Sequence, residues 1–392
     1  MRVLIINCNR ERKPQTLLPL GACCIASAAA ASGYDTHFLD LTFSPFPLHA
    51  VHSTVQRLQP DVIGLSIRNL DNCDAITPYS YLPEFRAIAA ACRQYSHATL
   101  VLGGAAVSLI PGSMLRYLNG DYAIVGEGEH VFIAVLNALE QRSDPALIPG
   151  VVTPNEERQH QSIAPHETDL HAFPTVELAK WLSFRQYRAV DAAYPIQTKR
   201  GCQFHCSYCR YPFLEGHQWR LRDPAWVTEE VARAHASGLR VTEFVDSVFG
   251  VPTDHVIACC EAVSRLPQSG ALCTMELNPS ACVPELIAAM NAAHFSSVAI
   301  TAESGSDAML TRMQKGFTTH ELRQSAQVLR DLTAQKLWIF MIGAPGECEA
   351  TVRDTARFIA TLPPRRSGVC DVWCACAPRH RAPTHTGCQW RP

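Results

Sequence analysis

Short apolar runs rich in β-branched residues alternate with helix-length segments whose apolar positions recur at helical spacing. In the first third of the chain such runs at 2–7, 36–41, 61–67, 100–103 and 122–125 predict strands, and stretches such as 83–95 predict helices between them. Strands joined by helical crossovers make a doubly wound parallel sheet of the Rossmann-like or flavodoxin-like kind. Ligands of such sheets bind beyond the carboxyl ends of the strands. Those ends are here polar or glycine-rich: Asn7, Ser66 with Arg68-Asn69-Leu70-Asp71-Asn72, Gly103-Gly104, and Gly126-Glu127-Gly128-Glu129. The charge-free run 14–34 starts too late for an export signal and holds Pro14 and Pro19. It reads as a buried, close-packing helix.

Periodicity fades over 141–190, which reads as an interdomain linker with some irregular structure. A second alternating series follows, with strands expected at 194–199, 241–245, 272–276, 297–301, 337–342 and 369–373 and helices such as 227–236 and 321–332. Six βα units make a partial (βα)6 barrel. The expected organisation is an α/β chain with a first domain at 1–140, a linker at 141–190, a second domain at 191–364, and an atypical, shortened tail at 365–392.

A length of 392 residues suits two domains with separate cores. Lys plus Arg number 34 against 36 Asp plus Glu, so the net charge of −2 makes no electrostatic case for nucleic acid or an anionic membrane. At 47 % apolar and 18 % charged residues the composition is that of a globular protein. The 17 cysteines are an odd number spread over a long chain, which argues against a secreted disulfide scaffold and for reduced thiols in the cytoplasm, some of them on metal.

Three of these cysteines carry chemistry. Cys202, Cys206 and Cys209 follow the first strand of the second series with three and two residues between them. Three thiolates on one turn can hold three corners of an iron-sulfur cubane and leave the fourth iron open to a ligand. Zinc is the alternative, but a fourth Cys or His at short regular spacing is missing, and His205 lies inside the loop.

With this motif the chain resembles the radical SAM superfamily, on Gly201-Cys202-Gln203-Phe204-His205-Cys206-Ser207-Tyr208-Cys209. Further matches follow in order: Phe244-Val245-Asp246-Ser247, Glu303-Ser304-Gly305-Ser306-Asp307 with Met313-Gln314-Lys315-Gly316, and Phe340-Met341-Ile342-Gly343-Ala344-Pro345-Gly346-Glu347. The resemblance implies a [4Fe-4S] cluster on the three cysteines and S-adenosylmethionine (SAM) on its open iron. It further implies that Tyr208 and Gly343 lie along the adenine, Asp246 near the methionine amine, and Glu303 and Ser304 at the cofactor. From the residues alone, Asp246 is otherwise a helix cap and Glu303 a surface ion pair.

The first domain is similar to the cobalamin-binding domain that precedes a subset of that superfamily. Ser66, Arg68, Asn69, Gly103, Gly104, Gly126, Glu127, Gly128 and Glu129 are its candidate cofactor residues; glycines would let the corrin approach the backbone, and Ser66 can donate to the nucleotide tail. The loop Asn7-Cys8-Asn9-Arg10-Glu11-Arg12 lacks the histidine with which other cobalamin domains ligate cobalt from below. Arg68 then becomes the candidate for that face, where a guanidinium cannot ligate cobalt; an ion pair with Asp71 or Asp74 is the plainer role. A flavin is the alternative occupant.

The resemblance implies a cobalamin-dependent radical SAM methyltransferase. It would methylate an unactivated carbon of a small natural-product intermediate or a peptide through a 5'-deoxyadenosyl radical and methylcobalamin, with flavodoxin or ferredoxin as electron donor and no nucleic-acid or membrane partner. Rearrangement, cyclisation or oxidation on the same cofactors is one alternative, and a catalytically idle binding protein is another. The likeness weakens after residue 362. Cys370, Cys374, Cys376 and Cys388 in the tail fit an auxiliary metal site, a substrate cap, or an aberrant end.

Overall fold

Alternating inward residues decide the first sheet. The computed structural model describes residues 1–13, 15–72, 77–155, 163–267, 270–362 and the backbone of 372–376. It divides into two units, Met1–Ala193 with Phe213–Glu215, and Tyr194–Pro212 with Gly216–Pro392. The first unit holds β1 (Arg2–Asn7), β2 (Asp35–Asp40), β3 (Val62–Ser66), β4 (Thr99–Gly103), β5 (Tyr122–Ile124) and β6 (Val151–Val152), in the order β2-β1-β3-β4-β5-β6. β1 to β5 pair in parallel and β6 closes the edge antiparallel.

Odd and even residues of these strands build two separate cores. Leu4, Ile6, Ile63, Leu65, Leu100 and Leu102 share one face. Val3, Ile5, Val62, Val101 and Ile124 share the other. Each such side chain taken fully from water contributes up to about 1.5–3 kcal/mol, so a one-residue slip in register is strongly disfavoured. The alanine-rich run forms the helix Leu20–Ala31, which buries Ala22, Cys23, Ala26 and Ala29, small side chains that let it lie close to the sheet. Because β2 and β3 lie on either side of β1, the switch point falls between β1 and β3.

The second unit holds β7 (Ala193–Ile196), β8 (Lys199–Arg200), β9 (Arg220–Leu221), β10 (Val241–Phe244), β11 (Ala271–Leu277), β12 (Phe295–Glu303), β13 (Gln335–Ile342) and β14 (Val372–Cys376). Its six-stranded sheet runs β14-β13-β12-β11-β10-β7, the sequential order of a partial (βα)6 barrel, and β8 with β9 forms a small antiparallel pair. The pairs from β10 through β14 are parallel. Of the strand expected at 369–373, residues 372 and 373 lie in β14, and the other tail residues, with Cys370 and Cys388, lie outside the described residues. The helix expected at 321–332 is Thr319–Val328, started by a capping box between Thr318 and Glu321.

The segment 141–190, read as a linker, is built into the first unit instead. It supplies β6, and its apolar residues Phe173, Leu178, Leu182 and Tyr187 are buried. Trp181 Nε1 donates to Ser27 Oγ at 2.9 Å, and Tyr187 donates its hydroxyl to Asp40 at 2.7 Å. These anchors are too sparse and irregular to show as periodicity. Among the described residues no helix is long and apolar enough to cross a membrane.

Candidate active site

The cysteine loop starts where β8 ends, and its backbone is held from several sides. Gly201 has φ +90°, and a Cβ there would lie 2.0 Å from the Gln218 carbonyl oxygen, so only glycine fits. Cys202 donates its N–H to Gly216 O at 3.0 Å, Ser207 to Met313 O at 3.0 Å, and Cys209 to Cys206 O at 3.0 Å. Cys202 is buried, while Cys206 and Cys209 are half-buried. Burial first, and then the charges of Cys206 and Cys202, push the Cys209 thiol up to about 11. Among the described residues no three His, Cys, Asp or Glu donors converge to hold a single metal ion.

Tyr208 extends from this loop to the end of β12. Its hydroxyl donates to Glu303 Oε1 at 2.8 Å, and Lys315 Nζ donates to the same hydroxyl at 3.1 Å and to Glu303 Oε1 at 3.4 Å. Glu303 and Lys315 are both buried, so the surface ion pair considered for Glu303 is a buried one. Glu303 takes φ +64°, a strained left-handed conformation for a residue with a side chain. Burial and then the Glu303 carboxylate hold the Tyr208 phenol well above its ordinary range, so it stays a neutral donor. Met309, Met313 and Ala344, with Tyr208 and Met341 against them, make an apolar bed beside this constellation.

Glu276, near the end of β11, interacts with the same charges. Desolvation and then the Glu303 carboxylate raise its carboxyl to about 8, with Lys315 opposing and Glu243 adding a smaller push. It therefore holds its proton at neutral pH.

Two expected cofactor residues have partners within the protein. Asp246 is 1 % exposed, and both its oxygens accept hydrogen bonds from Thr198 and Lys199. Ser304 is fully buried; its hydroxyl lies 3.1 Å from Thr355 Oγ1 and accepts from Ser306 N–H at 3.2 Å, which ties the end of β12 to the helix Glu349–Thr361. Gly343 has φ +92° at the turn after β13, and its N–H is held by the Glu347 carboxylate.

The strand ends of the first unit form a glycine-bordered rim. Gly104 has φ +104°, and a Cβ there would stand 2.4 Å from Ile67 O, whereas a Cβ on Gly103 would meet nothing within 4 Å. The backbone at Gly103 is thus uncovered while that at Gly104 is tightly packed. Gly126 donates its N–H to Ser108 Oγ at 3.0 Å and has Ile163 against it, and Gly128 packs on Ile25. Glu129, buried, opens the helix Glu129–Glu140, where a carboxylate complements the helix dipole. Ser66 and Asn69 are half-buried, and Arg68 is exposed on the loop after β3. At the ends of β1 and β2, Asn7 Nδ2 donates to Asp40 at 2.9 Å and to Thr42 at 3.0 Å, closing a network with Tyr187.

The B12 binding domain family matches residues 11–136, and the radical SAM superfamily matches residues 196–359. The chain belongs to the cobalamin-binding radical SAM family. The cofactors that go with its two domains are cobalamin, SAM and a [4Fe-4S] cluster. The tryptophan 2-C-methyltransferase of Streptomyces laurentii is 25 % identical over 302 residues, 64 % of this chain and 50 % of that protein. The hopanoid C-3 methylase of Methylococcus capsulatus is 26 % identical over 257 residues, 64 % of this chain and 46 % of that protein. The chain thus spans about half the length of these curated relatives. A radical SAM methyltransferase of Kitasatospora setae, TsrM, solved with cobalamin and a [4Fe-4S] cluster bound, shares the fold at TM-score 0.83 and 21 % identity, over 96 % of this chain and 75 % of that one.

In this cobalamin-binding radical SAM protein, three site residues went unread in the sequence. Lys315 was visible only as part of a motif, and Glu276 only as the last residue of an expected strand. A carboxylate at a parallel strand's carboxyl end is a usable signal for Glu276. Lys199 carries no such signal, because a lysine beside an arginine reads as surface.

Proposed function

We propose that the chain is a cobalamin-dependent methyltransferase that places a methyl group on an unactivated carbon of a small natural-product intermediate or a peptide. The observation that carries this reading is the cysteine loop set against the buried Tyr208, Glu303 and Lys315 constellation, on a chain that also carries a B12 binding domain. Cys202, Cys206 and Cys209 would each hold one iron. Tyr208 and the turn at Gly343 would flank the adenine, with Glu303 at the cofactor. Ser66, Arg68, Asn69, Gly103, Gly104, Gly126, Glu127, Gly128 and Glu129 would border the corrin and its tail. When bound, these cofactors supply one-electron cleavage of a carbon-sulfur bond and a transferable methyl group, the hard chemistry that no side chain can perform.

The chain's own part is positioning and charge. Lys315 neutralises Glu303, and Tyr208 donates to the same oxygen, so that carboxylate is fixed in orientation before a ligand arrives. Glu276 keeps its proton at neutral pH and adds no second negative charge beside Glu303. Met309 and Met313 pack with Ala344 behind Tyr208 and give its ring a dry backing. The test is anaerobic reconstitution with iron, sulfide and cobalamin, then reduction in the presence of SAM. Two chromophores and release of 5'-deoxyadenosine are expected, with candidate substrates gaining one methylene by mass; cleavage of SAM without any mass gain would exclude methyl transfer.

A further inference from the structure

The segment leading into the cysteine loop is held by a buried ion pair. Asp246 Oδ1 accepts from the backbone N–H of Thr198 at 2.7 Å and of Lys199 at 3.3 Å; its Oδ2 accepts from Thr198 Oγ1 at 2.6 Å and from Lys199 Nζ at 2.8 Å. Neither side chain of the Lys199–Asp246 pair has any exposure. The Lys199 ammonium lies 6.0 Å from the ring centres of Trp219 and Phe249, so Asp246 is its only anionic partner at ion-pair distance among the described residues. The next residue, Ser247, donates its hydroxyl to Gly201 O at 3.2 Å. Two consecutive residues after β10 thus grip Thr198, Lys199 and Gly201, and Cys202 comes directly after them.

We propose that Asp246 is a positioning residue for the cysteine loop, fixing through Thr198 and Lys199 the backbone that carries Cys202, and makes no contact with SAM. This rests on the assignment of Cys202, Cys206 and Cys209 to the cluster. A cubane tolerates little error in where its thiolates stand, and a loop can meet that tolerance only if its origin is rigid. Four charge-assisted hydrogen bonds onto one carboxylate in a dry interior supply that rigidity. They also leave the carboxylate no room for a cosubstrate amine.

The two roles separate experimentally. Wild type, D246N, K199M/D246N and S247A are reconstituted with iron and sulfide; iron release to a chelator is timed without SAM, and SAM affinity is measured by equilibrium dialysis. D246N should lose iron about tenfold faster, since it strands a buried ammonium. K199M/D246N should recover most of that loss, because no charge is left unpaired and an amide oxygen at position 246 can still accept from the backbone N–H groups of Thr198 and Lys199, and S247A should lose iron about two- to threefold faster. SAM affinity per remaining cluster should stay unchanged. If D246N fails to fold, S247A and the double variant decide, and wild-type iron retention in S247A together with rapid loss in the double variant overturns the proposal. So does D246N holding iron like wild type while binding SAM about tenfold more weakly. Wild type that takes up no iron and sulfide would instead overturn the cluster assignment itself.

Discussion

Glu276 is a carboxylic acid whose surroundings change its protonation at neutral pH. Its carboxyl is raised from the ordinary range to about 8 by desolvation and by Glu303, so the folded apoprotein binds a proton that the unfolded chain has lost by neutral pH. That contribution is fully present below about pH 4.5 and is lost as pH rises towards 8. Glu276→Gln should therefore stabilise the apoprotein relative to wild type increasingly between these limits, read as the difference in urea midpoints across pH. A second residue-scale expectation concerns Cys348. It caps the helix Glu349–Thr361, and the N–H groups of Thr351 and Ala350 lower its thiol, while burial raises Cys8 and Cys92. Alkylation at pH 7 followed by peptide mapping should mark Cys348 well before Cys8 or Cys92.

At the scale of elements, the turns after strands do the positioning. Gly104→Ala places a Cβ against Ile67 O in a left-handed conformation, and should cost about 2–4 kcal/mol in denaturant titration while weakening cobalamin retention. Ser304 is held within the protein, by Thr355 and Ser306. Since it joins the end of β12 to the helix Glu349–Thr361, Ser304→Ala should lower stability by about 1–2 kcal/mol and leave SAM affinity near wild type by equilibrium dialysis. The partial barrel was legible because period-2 runs and helical spacing recur six times. Its smaller parts were not: β8 with β9 is two residues a side, and β6 likewise, too short for any period to show.

At the scale of the molecule, each unit has its own sheet and its own candidate site. Replacing Cys202, Cys206 and Cys209 together by Ala should abolish iron uptake while cobalamin, followed by its visible absorption, is retained. Local spacing and residue type by themselves determined the two α/β units, the cysteine loop, and the glycine rim of the first sheet, because those depend on neighbours a few residues apart. Only tertiary structure decided that Asp246 answers Lys199, that Ser304 answers Thr355, that Tyr208 and Lys315 meet on Glu303, and that 141–190 closes onto the first unit. A carboxylate at a strand end can serve a ligand or a buried lysine equally well, and burial at long range, which no local pattern encodes, chooses between them.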